Sequence, residues 1–217
     1  MTDLYQQIQV PAPPDIGSAP QGYEGAFVDQ SNGAMRTFFI KLVNSIAALF
    51  GPRGGKYINA PYGAFQDSTD QVAANTTTAY PVTFNTTDFS NGVTLSDTSR
   101  FNVSQAGLYN LQFSVQLKNT TNDGQDLDIW FRKNGTNISG SNSRFHLPAR
   151  KSGGDPSHLI AALNFFVDLS SGDYVQIVWR TSDVGVSLEH FATSSSPDRP
   201  AIPSAIATLC FVSNRSA

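Results

Sequence analysis

The sequence predicts an all-β domain, an antiparallel sandwich or barrel, preceded by one short α-helix and an extended N-terminal arm. Apolar and polar residues alternate with period two in several runs after residue 57. Turn clusters such as Asn134-Gly135 and Ser170-Ser171-Gly172-Asp173 separate those runs. One stretch only, Asp29 to Phe50, carries helical spacing instead. The boundaries follow as an arm over residues 1–28, a helical stem and linker over 29–56, and a head over 57–217.

The arm carries Pro11, Pro13, Pro14 and Pro20 with Gly17, Gly22 and Gly25, and has neither helical nor strand periodicity. A polyproline II segment advances ~3.1 Å per residue, so such an arm can lie across a neighbouring protein. Tyr5, Ile8, Ile16, Tyr23 and Phe27 favour docking over free solvation, because a solvating tail has little use for large apolar side chains. Tyr5, Ile8, Pro13, Pro14 and Tyr23 are the candidate docking residues.

In the helix, Asp29 or Ser31 offers an N-cap and Gly51-Pro52 a stop. Met35, Phe39, Leu42, Ile46 and Leu49 alternate spacings of four and three, the a/d stripe of a short coiled coil, and Phe38, Val43 and Phe50 widen it. An isolated helix of this length is marginal in water. The stripe therefore needs cover from copies of itself, from its own head, or from another protein.

The clearest strand is Gly107 to Leu117, where Tyr109, Leu111, Phe113, Val115 and Leu117 alternate with Asn110, Gln112, Ser114 and Gln116. Leu127, Ile129 and Phe131 alternate with Asp128, Trp130 and Arg132 ahead of the Asn134-Gly135 hairpin signal. A long strand runs from Leu159 to Leu169 and its return begins at Tyr174. Further strands are expected at 62–67, 80–84, 100–103, 186–192 and 204–213. Some strands also carry apolar groups on the second face: Ile160, Ala162 and Phe166, then Val178, then Ile206 and Val212. A monomeric sandwich would leave that face against water, so these residues point to a subunit interface.

Composition limits the function classes. Charged residues are 14% of the chain and the net charge is −3, too few and of the wrong sign for a nucleic-acid binder held by phosphate contacts. The single cysteine, Cys210, excludes an internal disulfide and reads as a small buried hydrophobe in the last strand. The start, MTDLYQQIQVPAPP, has no basic and apolar leader pattern, and Phe38 to Phe50 falls short of the ~20 residues that span a bilayer. His146, His158 and His190 form no metal motif, and neither a GxSxG elbow nor a phosphate loop occurs. Asp123, Asp126 and Asp128 read as a solvated loop leading into a strand, although they could also supply oxygen ligands to Ca²⁺. Arg144, Arg150, Lys151, Asp183 and Arg199 are expected in outer loops. No catalytic, metal or cofactor assignment follows, and an enzyme is not expected.

The order Phe84, Asn91-Gly92, Arg100-Phe101, Gly107-Leu108-Tyr109 and Phe113, then Trp130 and Lys133-Asn134-Gly135, then Leu163, Leu169, Gly172-Asp173 and Val175, ends in the apolar strand Ala205 to Phe211. Over residues 62–213 this resembles the C1q/tumour-necrosis-factor-like jelly roll. The resemblance implies a compact homotrimer with Ala64 and Phe65 beside the last strand and three helices emerging near the threefold axis, with Phe166 joining the helix stripe in trimerisation. An arm, a short apolar helix and such a head, low in charge and rich in Asn, Thr, Ser and Gln, are similar to bacteriophage virion proteins. The expected role is a surface-exposed virion structural protein, a tail or head fibre or spike. It would meet other virion proteins through residues 1–50 and a host glycan or protein through the head, with no membrane insertion. A capsid-decoration protein and a free carbohydrate- or protein-binding module are the alternatives.

Overall fold

The computed structural model describes Pro14, Gln21, Gly22, residues 24–50 with side chains to residue 47, and residues 60–214. The chain divides into two compact units, Met1–Ala60 and Pro61–Ser216. In the first, α1 spans Gly25–Phe50, about 39 Å at 1.5 Å per residue. It starts before the expected caps, with the Val28 N–H donating to the Glu24 carbonyl at 3.2 Å. Ala26-Phe27-Val28 contain no helix breaker, so the helix runs on through them and Asp29 and Ser31 become interior positions. No helix among the described residues is long and apolar enough to cross a membrane.

The second unit is built of strands: β1 (Tyr62–Asp67), β2 (Gln71–Val72), β3 (Tyr80–Pro81), β4 (Thr86–Asn91), β5 (Val93–Ser96), β6 (Arg100–Val103), β7 (Gly107–Asn119) and β8 (Gln125–Lys133). They continue with β9 (Thr136–Asn137), β10 (Ser143–Leu147), β11 (Ser157–Leu169), β12 (Tyr174–Thr181), β13 (Val186–Leu188), β14 (Ser194–Ser195), β15 (Asp198–Arg199) and β16 (Ala205–Ser213). The expected strands at 80–84 and 186–192 are shorter than their apolar runs, β9 is the return strand of the expected Asn134-Gly135 hairpin, and β2, β4, β5, β10, β14 and β15 are additional to the expected set.

Two seven-stranded antiparallel sheets result. In the first, β11 follows β7 along one edge from Ser157 opposite Asn119 to Leu169 opposite Gly107. On the other edge of β7 lie β16 and, beyond it, β13. β16 is followed outward by β1 and β4, which sets the first strand beside the last. The second sheet has the order β10-β8-β12-β6-β5. Because the chain passes between the sheets from β7 to β8, β10 to β11, β11 to β12 and β12 to β13, the pairings β1-β16-β7-β11 and β6-β12-β8-β10 are those of a jelly roll. The Phe211 N–H donates to the Pro61 carbonyl at 2.8 Å, so this unit begins and ends at one end.

Aromatic rings join the sheets. Phe101 of β6 meets Phe65 of β1 at 4.9 Å between centroids and Phe84 at 5.0 Å. Phe131 of β8 lies 4.8 Å from Phe165 of β11 and 5.9 Å from Phe113 of β7. Gly107 has a packing reason: a Cβ there would sit 2.3 Å from the Phe211 ring and 2.8 Å from the Ser213 carbonyl. Val178 departs from expectation. It points away from the core cluster yet is fully buried, in register with Trp130 on one side and Pro81 on the other.

The Lys133-Asn134-Gly135 and Gly172-Asp173 turns interlock. Asn134 (φ 50°) and Gly135 (φ 80°) form the two-residue hairpin between β8 and β9, a left-handed pair that Asn-Gly tolerates. Asn134 Nδ2 donates to Asp173 Oδ1 at 2.8 Å, its Oδ1 accepts the Tyr174 N–H at 2.9 Å, and the Ser170 N–H donates to Asp173 Oδ2 at 2.7 Å. Lys133 Nζ completes the clamp 2.9 Å from Asp173 Oδ2. Burial alone would raise the Asp173 carboxyl, but hydrogen bonds from Lys133, Asn134 and Ser170 hold it at about 2 against an ordinary 3.8. A carboxyl depressed by folding adds stability that is complete above its unfolded value and fades as pH falls through its folded value. Asp173→Asn is therefore expected to cost about 2 kcal/mol at pH 7 and to converge on wild type toward pH 2. Urea unfolding at pH 7 and at low pH reads this, and an equal cost at both would contradict it.

Candidate interaction surfaces

The outer face of the first sheet is set by parity. Residues of β7, β11 and β16 that alternate with the core point outward, and registry lays them in rows. One row is Ala162, Ser114 and Ile206; another is Phe166, Asn110 and Cys210. Ile160 (61% exposed), Phe166 (54%), Ile206 (42%) and Val212 (49%) stand on this face as uncovered hydrophobics. Asn110 Oδ1 beside Phe166 and Cys210 is buried without a hydrogen-bond partner. Cys210 is exposed, correcting its assignment as a buried hydrophobe. In the unbroken run Leu209-Cys210-Phe211 nothing marks parity, and pairing with β7 puts Leu209 inward and Cys210 outward.

One margin of this face is charged. Glu189 takes His158 Nε2 at 2.7 Å and Lys118 Nζ at 2.5 Å. His158 also lies 5.6 Å from the Phe191 ring. Among the described residues no group of three His, Cys, Asp or Glu side chains is placed to hold a metal ion.

On the second sheet, Leu127, Ile129 and Phe131 of β8 enter the core, so Asp126, Asp128, Trp130 and Arg132 face outward. Asp126 and Asp128 are strand residues, not loop residues, and so is Arg144, which belongs to β10. Asp128 Oδ1 accepts Arg144 Nε at 2.9 Å, and its Oδ2 accepts Arg180 Nη2 at 3.1 Å. The Arg144 hydrogen bond, against the opposing effect of burial and with the charges of both arginines, holds the Asp128 carboxyl below the usual range. Asp126 takes His146 Nδ1 at 2.8 Å. Asn137 Oδ1 accepts both the Trp130 indole N–H and Arg132 Nε at 2.8 Å. Sequence reasoning placed Trp130 on the polar face of its strand but gave it no role. Arg150, Lys151 and Asp183 lie in loops as expected, whereas Arg199, also expected in a loop, belongs to β15, paired with Ser194.

On α1, Met35 (39%), Phe39 (52%) and Ile46 (47%) are exposed and Leu42 is half-buried, while Ile40 and Val43 add uncovered apolar surface. The Leu49 side chain and Tyr5, Ile8, Pro13 and Tyr23 lie outside the described residues; Pro14 belongs to no regular element.

No protein-family model matches the sequence, and no curated protein matches it. Among solved structures, the chain is similar to the globular domain of zebrafish complement 1qA protein, at 16% identity over 71% of this chain and 98% of that one, with a TM-score of 0.42.

Proposed function

We propose that the chain is a homotrimeric structural protein of a bacteriophage particle, a tail or head fibre or spike. Its arm and helix hold it to the particle and its jelly-roll head makes attachment contacts. The observation that carries the reading is the apolar outer face of β7, β11 and β16, with Ile160, Phe166, Ile206 and Val212 uncovered in one chain. Side chains of this size on a single sheet face lose solvent contact when copies associate, and exposed patches of several hundred Å² are uncommon on soluble monomers. The exposed apolar residues of α1 give a second self-associating element next in sequence to the head. Three linked heads engage a surface together, so weak single contacts gain from effective concentration.

The test is incorporation. Deleting residues 1–28 is expected to leave a soluble trimer that no longer enters particles, read by immunoblot of purified virions and by micrographs of particles labelled against the head. Normal incorporation of the shortened chain would remove the arm from the proposal, and absence of the full chain from particles would remove the virion role.

A further inference from the structure

We propose that the outer face of the second sheet holds a site for an acidic pyranose, a sugar bearing a carboxylate, centred on Trp130. The proposal rests on the reading of the head as an attachment module and gives that module a ligand class. Trp130 is half-buried on the face opposite the core, and its one polar atom already donates to Asn137. The indole is therefore fixed in orientation and offers an apolar surface with no unmet donor. Such a surface suits the C–H face of a sugar ring.

The neighbours specify the charge. Residues two apart on a strand are about 7 Å apart on one face, so Trp130 has guanidinium groups along the strand in both directions. On one side Arg144 and Arg180 share the carboxylate of Asp128. On the other side Arg132, its guanidinium carbon 5.9 Å from the indole centroid, is held through Nε by Asn137 and is in no ion pair among the described residues. The outer N–H groups of Arg132 remain for a bound carboxylate, which guanidinium takes with two parallel hydrogen bonds. With Asp126, 3.8 Å from Arg144, included, the three arginines Arg132, Arg144 and Arg180 meet two carboxylates, Asp126 and Asp128, so positive charge exceeds negative at this spot in a chain of net charge −3. That local imbalance favours an acidic over a neutral glycan.

The experiment applies full-length protein to an array of glycans ending in uronic or sialic acids, each printed beside its carboxyl methyl ester. Binding to at least one acid form is expected, weaker by about tenfold or more on the ester. Arg132→Ala and Trp130→Ala should each lose about tenfold or more in affinity with the mass in solution unchanged. Because Trp130 neighbours the buried Val178, Arg132→Ala and Trp130→Phe guard against loss by misfolding; the former should lose acid binding and the latter retain part of it. Silence on every acid form, equal binding of acids and esters, or wild-type binding by Arg132→Ala overturns the site. A trimer silent on the array refutes the site and leaves the assembly reading standing, whereas a monomer that binds acids does the reverse.

Discussion

Phe101→Ala is expected to lower the unfolding free energy by about 3–5 kcal/mol, a large part of the 5–15 kcal/mol that stabilises a typical domain. Phe101 is fully buried and its ring is the meeting point of Phe65 from the opposite sheet and Phe84. β6 has four residue pairs with the edge strand β5 but only two with β12, Asn102 with Tyr174 and Phe101 with Val175, so its link to the rest of the sheet is thin once the ring is gone. The cavity would open between the sheets, where closing it requires both to shift. Urea unfolding at fixed protomer concentration measures the effect, since an associating protein gains stability with concentration. A loss below about 1 kcal/mol would mean that Phe65 and Phe84 collapse into the space, contrary to the expected rigid packing.

Phe166→Asp combined with Ile206→Asp is expected to reduce the mass in solution from three copies to one at micromolar concentration. Both side chains are exposed on the outer face of the first sheet, so in a free head the aspartates would meet only water. At a subunit interface each would be an unpaired charge taken out of solvent, costing several kcal/mol. Val184→Asp is the control: Val184 is similarly exposed at 53%, but on the loop between β12 and β13. Light scattering after gel filtration reads all three proteins. An unchanged trimer in the double variant would place the interface elsewhere, and a monomeric wild type would end the trimer proposal.

The long strands were legible because each packs one face on the core and so alternates: β7 and β8 show the alternation in full, and the return strand β12 follows a turn of plain chemistry. β4 was illegible for the opposite reason. Its side chains are almost all exposed, so no burial period is imprinted on Thr86 to Asn91. β10 has the alternation Arg144, Phe145, His146, Leu147, but it is short and lies between a Gly-, Ser- and Asn-rich stretch and Pro148. The apolar outer face could be read from Ile160, Phe166, Ile206 and Val212, while Val178, chosen by the same parity, proved buried because neighbouring strands cover it. The group around Asp128 could not be read at all. Arg144 and Arg180 are remote from it in sequence, and only the registers of β8 with β10 and β12 bring them together. The two turn motifs were visible separately; their mutual hydrogen bonds were not.

Because Pro61 and Phe211 are hydrogen-bonded neighbours, whatever precedes the head joins it at the end where its last strand also finishes. The loop joining β10 to β11 leaves from the opposite end, where Asn119 meets Ser157 and Val186. Gly153 and Gly154 at its tip have open space around them. A foreign peptide spliced between those two glycines would be carried at the far pole from the tether, which makes the head a natural display scaffold and makes a tag after the final strand the poorer choice.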